Sequence, residues 1–306
     1  MCSLRFPVLK WVQRLWTREG RTLSFFCLQD GDNQGQVDKA AVPETPWNEL
    51  THQERMSYEE SYRRPGQIAA DLAEPLSVRE VYALDLLGAG AQSLVLEVGS
   101  GSGRHAVEIA RRGAIVVAVD VSVAGVQRGQ ALAQMAGQSS HVHAASMDAH
   151  ALGLADASVD LVFGAQVLHH LDCAQAGAEI GRVLRPGGRA VFIENSARSP
   201  LLMWARRHLV GRIGIRRYGS AAEAPLDDAE IRIFCRQFGG SVRVHFPQLC
   251  LTVLLARHWL NFPWAVQFFL QIDQWLERWI PALRSWSFLQ VLEFVKAPQQ
   301  PPPGDR

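Results

Sequence analysis

The chain's 306 residues, 48% hydrophobic and 20% charged, hold enough apolar material for one large domain with a full core and additions, so two independent domains are not required. A formal net charge of +1 provides no general attraction to a polyanion, and composition gives nucleic-acid binding no support. Five cysteines, Cys2, Cys27, Cys173, Cys235 and Cys250, are odd in number and never spaced C-x-x-C, the pattern of reduced, mostly packed thiols with no zinc site.

At the N-terminus Leu4, Val8, Trp11, Val12 and Leu15 repeat at helical spacing while Lys10, Arg14 and Arg18 fall on another face, a short cationic amphipathic segment. It suits a membrane, a partner or, most plainly, the body of its own protein. It has no uninterrupted apolar core of the signal-peptide kind, so the expected location is cytoplasmic, with membrane association left open. Residues 29–46, rich in Asp, Gln, Gly and Pro, read as a mobile connection. Helical spacing returns over 47–66 and 68–87, with Tyr58 and Tyr62 four residues apart and Leu72, Leu76, Leu84 and Leu87 further on. Helices here precede the core sheet, and the two tyrosines are candidates to face a substrate.

Val95 to Val98 is an apolar strand that empties into three alternate glycines, Gly99, Gly101 and Gly103, and then into a helical pattern. Glycines allow a tight turn and close backbone approach to a ligand, and the free amides at a helix start favour an anionic group. Arg104 and His105 stand where the dinucleotide fingerprint G-x-G-x-x-G needs its last glycine, which disfavours a pyrophosphate reader. A second apolar run, Ala114 to Val119, ends in Asp120, 21 residues after Gly99. An acid after the second strand of a doubly wound sheet is placed to accept ribose hydroxyls.

With Glu97 two residues before the first glycine, this segment resembles motif I of the class I methyltransferases, which bind S-adenosyl-L-methionine. Later features keep the family's order. Met147-Asp148 resembles its adenine-binding turn, Val159 to Phe163 its fourth strand, and Arg185-Pro186-Gly187-Gly188-Arg189 the turn into its fifth, Ala190 to Ile193. The resemblance covers residues 93–195. It implies a cofactor site made of Glu97, Gly99, Ser100, Gly101, Gly103, Asp120, Val121, Met147, Asp148 and Gln166. Asp120 would take the ribose, Asp148 the adenine amino group and Met147 the adenine face. Glu97 would hold the glycine loop or the methionine ammonium, and Gln166 would meet the methionyl part through its backbone. His169 and His170, just beyond the fourth strand, are the candidate catalytic bases for a hydroxyl acceptor. Glu194, at the end of strand five, is in reach of an acceptor or, more plainly, a strand-end carboxylate in water.

After strand five, Leu201, Leu202, Trp204, Leu209 and Val210 alternate with Arg206, Arg207, His208 and Arg212, and Arg216 and Arg217 extend the charge. Such an insertion serves as a lid over an apolar acceptor, a headgroup site or a row of solvated arginines, the last being the plainest. A helix from Asp227 to Phe238 stops at Gly239-Gly240, and a sixth strand covers Ser241 to His245. The tryptophan-rich stretch Leu249 to Ile280 is interrupted by Arg257, His258, Asn261 and Pro263, a poor transmembrane span. Pro263 to Trp279 reads as an inserted helix, Ser287 to Val295 as the last strand, and 298–306 as a disordered proline-rich tail.

The expected fold is α/β: a Rossmann-like doubly wound seven-stranded sheet with an antiparallel last strand between five and six, N-terminal helices, and helical insertions near the C-terminus. Its divisions are 1–46, an amphipathic segment and connection; 47–297, the methyltransferase domain with insertions near 199–226 and 255–280; and the tail. The resemblance implies methyl transfer from S-adenosyl-L-methionine to a small lipophilic acceptor, on oxygen ahead of nitrogen or carbon. It is closest to the group that includes quinone-biosynthesis and natural-product enzymes. No Asn-Pro-Pro-Tyr-like segment follows strand four, and no acidic cluster resembles a magnesium site, so neither a nucleic-acid partner nor a metal is expected. Two alternatives stay open: a catalytically silent cofactor-binding or membrane or partner assembly module, and a nicotinamide oxidoreductase, against which the missing third glycine speaks.

Overall fold

The computed structural model describes Met56 and residues 58–62, 68–210, 224–256 and 262–298. Expectations for 1–46, for Arg212, Arg216 and Arg217, and for the tail beyond 298 lie outside these residues.

Two helices lead into the sheet. Helix α1 (Ile68–Ala73) is separated by Pro75 from α2 (Val78–Leu87). The helical spacing across 68–87 is thus broken where proline forbids continuation. Ser77 restarts it with a capping box: its hydroxyl accepts from the Glu80 amide, and the Glu80 carboxylate accepts from the Ser77 amide at 2.6 Å. Leu84 and Leu87 are buried, and Gly88 ends the helix at φ 68°.

Strands β1 (Leu94–Val98), β2 (Ile115–Asp120), β3 (Val142–Ser146), β4 (Val159–Ala165) and β5 (Leu184–Asn195) are parallel, and β7 (Leu289–Lys296) runs antiparallel between β5 and β6 (Gly240–His245). The order is β3-β2-β1-β4-β5-β7-β6, so the chain reverses direction across the sheet between β1 and β4. Crossovers α3 (Arg104–Arg111), α4 (Val123–Met135) and α5 (Cys173–Val183) cover the faces. Burial on both sides makes the central strands near-continuous apolar runs. Alternate residues feed two cores: Leu96, Val98, Val162 and Phe192 on one face, Val95, Val116, Phe163 and Val191 on the other.

Strand β5 departs from expectation. Leu184 already pairs with Val159, and regular pairing resumes only at Leu161 with Arg189. The proline and paired glycines therefore form a bulge inside a strand, not a turn before one. The C-terminal half of this layer is fixed by helix α7 (Asp228–Phe238), whose Phe234 sits 5.8 Å from the Phe192 ring and 4.6 Å from the Phe294 ring, centroid to centroid. Two small residues let α5 reach it: a Cβ on Gly177 would lie 2.6 Å from the Phe234 carbonyl oxygen, and one on Gly181 2.7 Å from that of Phe238.

Helix α6 (Pro200–His208), capped by Ser199, leaves the carboxyl end of β5. Helix α8 (Pro263–Trp279) occupies the connection from β6 to β7 at that same end. Among the described residues no helix is long and apolar enough to cross a membrane.

Candidate active site

The carboxyl ends of β1, β2 and β4 meet at the reversal point, where open α/β sheets bind ligands. A cleft of about 230 Å³ lies there, lined by Gly99, Asp120, Val121, Met147, Asp148, Gln166 and His170, with Tyr58 and Tyr62 from the N-terminal helical turn. Glu97, Ser100, Gly101 and Gly103, expected at the cofactor, are not part of this lining; Asp120, which is, accepts a bond from the Gly101 amide.

The loop after β1 requires glycine on two counts. Gly101 has φ 51°, in the left-handed region, and a Cβ there would lie 2.5 Å from the Tyr62 hydroxyl. Gly103, at φ 76°, would place a Cβ 2.7 Å from the Cα of Gly129, so α3 and α4 touch backbone to backbone.

Asp120 ties this loop to β2. Its Oδ2 accepts from the Gly101 amide at 2.8 Å and its Oδ1 from the Ser122 amide at 2.8 Å. Each carboxylate oxygen can accept more than one bond, so capacity remains for a ligand hydroxyl. Burial raises the Asp120 pKa above its ordinary value, and the amides of Ser122 and Gly101 pull the other way.

Glu97 is 1% exposed. Burial, with Asp120 nearby, pushes its pKa to about 8 against the bond from the Ala106 amide. Its Oε2 is a buried oxygen with no hydrogen-bond partner, and the nearest cation-forming group to Oε1 is His105 Nδ1 at 3.7 Å. Such an orphan acceptor is a place for a cationic ligand group.

Asp148 is held by a residue that sequence reading passed over. His150 Nε2 accepts from the Asp172 amide at 2.9 Å, so its Nδ1 carries the proton and donates to Asp148 Oδ1 at 2.8 Å, beside the His150 amide on the same oxygen at 2.9 Å. Burial pushes the Asp148 pKa up, but the His150 bonds outweigh it and the net movement is downward. The signal was available, since an Asp two residues before a His is a local turn pattern.

His169 and His170 separate. His170 lines the cleft, its Nε2 3.1 Å from the Tyr58 hydroxyl. His169 lies behind it, 5% exposed, its Nδ1 2.7 Å from Glu194 Oε2. Glu194 is fully buried: its Oε1 also accepts from the Val167 and Leu168 amides at 2.8 and 2.7 Å. The expectation of a carboxylate in water is therefore corrected, because three donors 25–27 residues upstream fold back onto it. Gln166 adopts φ 56° between β4 and these histidines, its amide bonded to the Ile193 carbonyl at 2.8 Å; non-glycine residues in that region gather at ligand sites.

Glu59 is a second unanticipated contributor. Its Oε2 accepts from the Ser122 hydroxyl at 2.7 Å and the Ala124 amide at 3.1 Å, clamping the Tyr58 to Tyr62 turn to the start of α4. Arg104 and His105, which replace the fingerprint glycine, are anchors: both bond Glu80 Oε1, at 2.7 and 3.0 Å, and fasten α2 to α3. Among the described residues no cluster of three or more His, Cys, Asp or Glu could hold a metal ion.

Sheet order, antiparallel β7 and an acid-braced glycine loop define the class I methyltransferase fold. Comparison with known proteins agrees. Residues 96–192 match the family described as methyltransferase domain. An uncharacterized methyltransferase of Mycobacterium tuberculosis is 38% identical over 139 residues, 43% of this chain and 52% of that protein. An O-methyltransferase of Aspergillus sclerotiorum is 38% identical over 129 residues, 40% and 47% of the two chains, and a demethylmenaquinone methyltransferase of Beutenbergia cavernae 37% over 118, 37% and 45%. The chain thus spans about half the length of these curated relatives. In structure it is similar to geranyl diphosphate C-methyltransferase from Streptomyces coelicolor, with TM-score 0.53 and 16% identity over 84% of this chain and 99% of that one. Residues 96–192 form the core of a methyltransferase domain.

Proposed function

We propose that the protein transfers a methyl group from S-adenosyl-L-methionine to a small lipophilic acceptor, on oxygen ahead of nitrogen or carbon. The observation that carries this reading is the convergence on one cleft of a braced glycine loop, Asp120, Met147 and Asp148, with His170 and Tyr58 in the same wall. Relatives named as an O-methyltransferase and a demethylmenaquinone methyltransferase support the acceptor class.

The residues fit the cofactor's groups. Asp120 keeps acceptor capacity for ribose hydroxyls. Asp148 commits Oδ1 to His150, which leaves Oδ2 for an exocyclic amino group, while Met147 packs along the base. Gly99, Ser100, Gly101 and Gly103 bring backbone close, with Val121 and Gln166 at the two strand ends. The orphan Oε2 of Glu97 suits an ammonium. When bound, the cofactor supplies a methyl already made electrophilic by its sulfonium, so the protein's main task is to orient an acceptor lone pair behind that carbon. His170 takes the proton from an acceptor hydroxyl at Nε2, whose single lone pair the Tyr58 hydroxyl, 3.1 Å away, gives up to the acceptor. His169, fixed at Nδ1 by Glu194, holds the neighbouring ring, whose centroid is 4.1 Å away.

Equilibrium calorimetry with S-adenosyl-L-methionine, S-adenosylhomocysteine and NAD tests the reading, with Asp120→Ala as control. The expected result is selective binding of the sulfur ligands, weakened at least about tenfold in the variant, since it loses both ligand acceptors and the tether on Gly101. Preference for NAD overturns it.

A further inference from the structure

Helix α8 wears its aromatic side chains outward. Trp264, Phe268, Trp275 and Trp279 are between 53% and 67% exposed. At about 100° per residue these positions fall within about 60° of one another, in a stripe about 22 Å long. Phe262 stacks on Trp264 with ring centroids 6.3 Å apart. The opposite, buried face is fixed by a polar group: Asp273 accepts from the amides of Leu251, Thr252 and Val253 at 2.8 to 3.1 Å. A helix docked through an aspartate with its tryptophans in solvent inverts the usual arrangement, in which the apolar face turns inward.

The geometry points to an anionic lipid membrane as the partner of this stripe, with the rings seated at headgroup depth. Three observations select it. The exposed rings offer about 500 Å² of apolar surface, more than scattered surface residues present and less than the roughly 800 Å² per partner that a stable dimer needs. Tryptophan joins an apolar body to one N–H donor, the combination that collects at membrane interfaces. Finally, the face carries no anion. Asp273 is buried and Glu277 turns to Arg284 at 2.7 Å and to the Leu249 amide at 3.2 Å, leaving Arg278 as the exposed charge of the last turn. The sequence has no Asp or Glu from 246 to 272 and none from 195 to 222, and α6 carries Arg207 and His208 exposed in its last turn. Because α6 and α8 both lie at the carboxyl end of β5, membrane binding brings that end of the sheet, and the cleft with it, toward the lipid. The inference goes beyond the methyl-transfer reading and stands independently of it.

The test is co-sedimentation of the full chain with sucrose-loaded vesicles of phosphatidylcholine alone and of phosphatidylcholine mixed with phosphatidylglycerol. The variant Trp264→Ser/Trp275→Ser/Trp279→Ser is run beside it, and folding of both is checked by circular dichroism and by cofactor binding. The wild type is expected to partition onto the anionic vesicles and the variant to lose about tenfold or more of that partitioning. Should the variant not fold, wild-type tryptophan fluorescence carries the test, with quenching by brominated phosphatidylcholine in mixed vesicles as the supporting result and its absence as the opposing one. Wild type left in the supernatant overturns the proposal. So does equal binding by a folded variant, or a wild-type dimer in sedimentation velocity that the variant dissolves.

Discussion

Ionising Glu97 in the ligand-free protein places a carboxylate in a nearly dry site, with Oε2 lacking a partner. Its pKa in the fold is about 8, against an ordinary 4.5. A carboxyl raised in this way favours the folded state while protonated. Its contribution is complete below the unfolded value and is lost as pH climbs through the folded one. At about 1.4 kcal/mol per pH unit the loss approaches a ceiling of about 5 kcal/mol above pH 8. Glu97→Gln removes this titration and keeps the shape. Urea unfolding of both proteins, without cofactor and at a series of pH values, is expected to show the variant gaining on wild type. Water drawn toward the charge trims the slope, and about 0.7 to 1.4 kcal/mol per pH unit between about pH 5 and pH 8 brackets it. Titrating groups distant from Glu97 cancel in the difference, whereas Asp120 is coupled to it and contributes to the slope. Parallel curves across the range refute the reasoning, since Glu97 would then titrate as it does in water. Saturating S-adenosyl-L-methionine is expected to flatten the slope, because an ammonium beside Oε2 favours the ionised carboxylate.

Gly177→Ala sets a methyl against the Phe234 carbonyl, which cannot rotate aside, and is expected to cost about 1 to 3 kcal/mol by chemical denaturation; an unchanged midpoint contradicts the close helix contact. His170→Ala is expected to lower kcat about a hundredfold with a hydroxyl acceptor while calorimetry finds cofactor binding within about threefold of wild type. If kcat stays level, the proton goes elsewhere.

Much of the sheet is legible in the letters because its strands announce themselves locally. β1 is an apolar run followed by Gly99, β2 one that ends in Asp120, and Pro263 marks the start of α8 by its fixed φ. What escapes is set by distance. Nothing near Glu194 tells that the Val167 and Leu168 amides and His169 will close over it. Glu59 carries no motif of its own; only the packing of its helical turn on α4 gives it donors. The Pro-Gly-Gly run misleads in the other direction, since turn chemistry is real there but Leu184 has already joined the sheet. For His169 and His170 sequence adjacency hides a division, one ring against Glu194 and the other in the cleft wall.

The placement of β7 has a consequence for how the molecule comes into being. As the chain is synthesised, β5 and β6 emerge with their mutual neighbour still missing, because the strand that lies between them is made after both. Until it arrives, two ladders of unpaired amides and carbonyls stay open, and closing them joins segments about a hundred residues apart in the case of β5. The nascent protein is thus prone to associate with other chains until β7 emerges, and lesions in β7 strike the centre of the half-sheet rather than its rim.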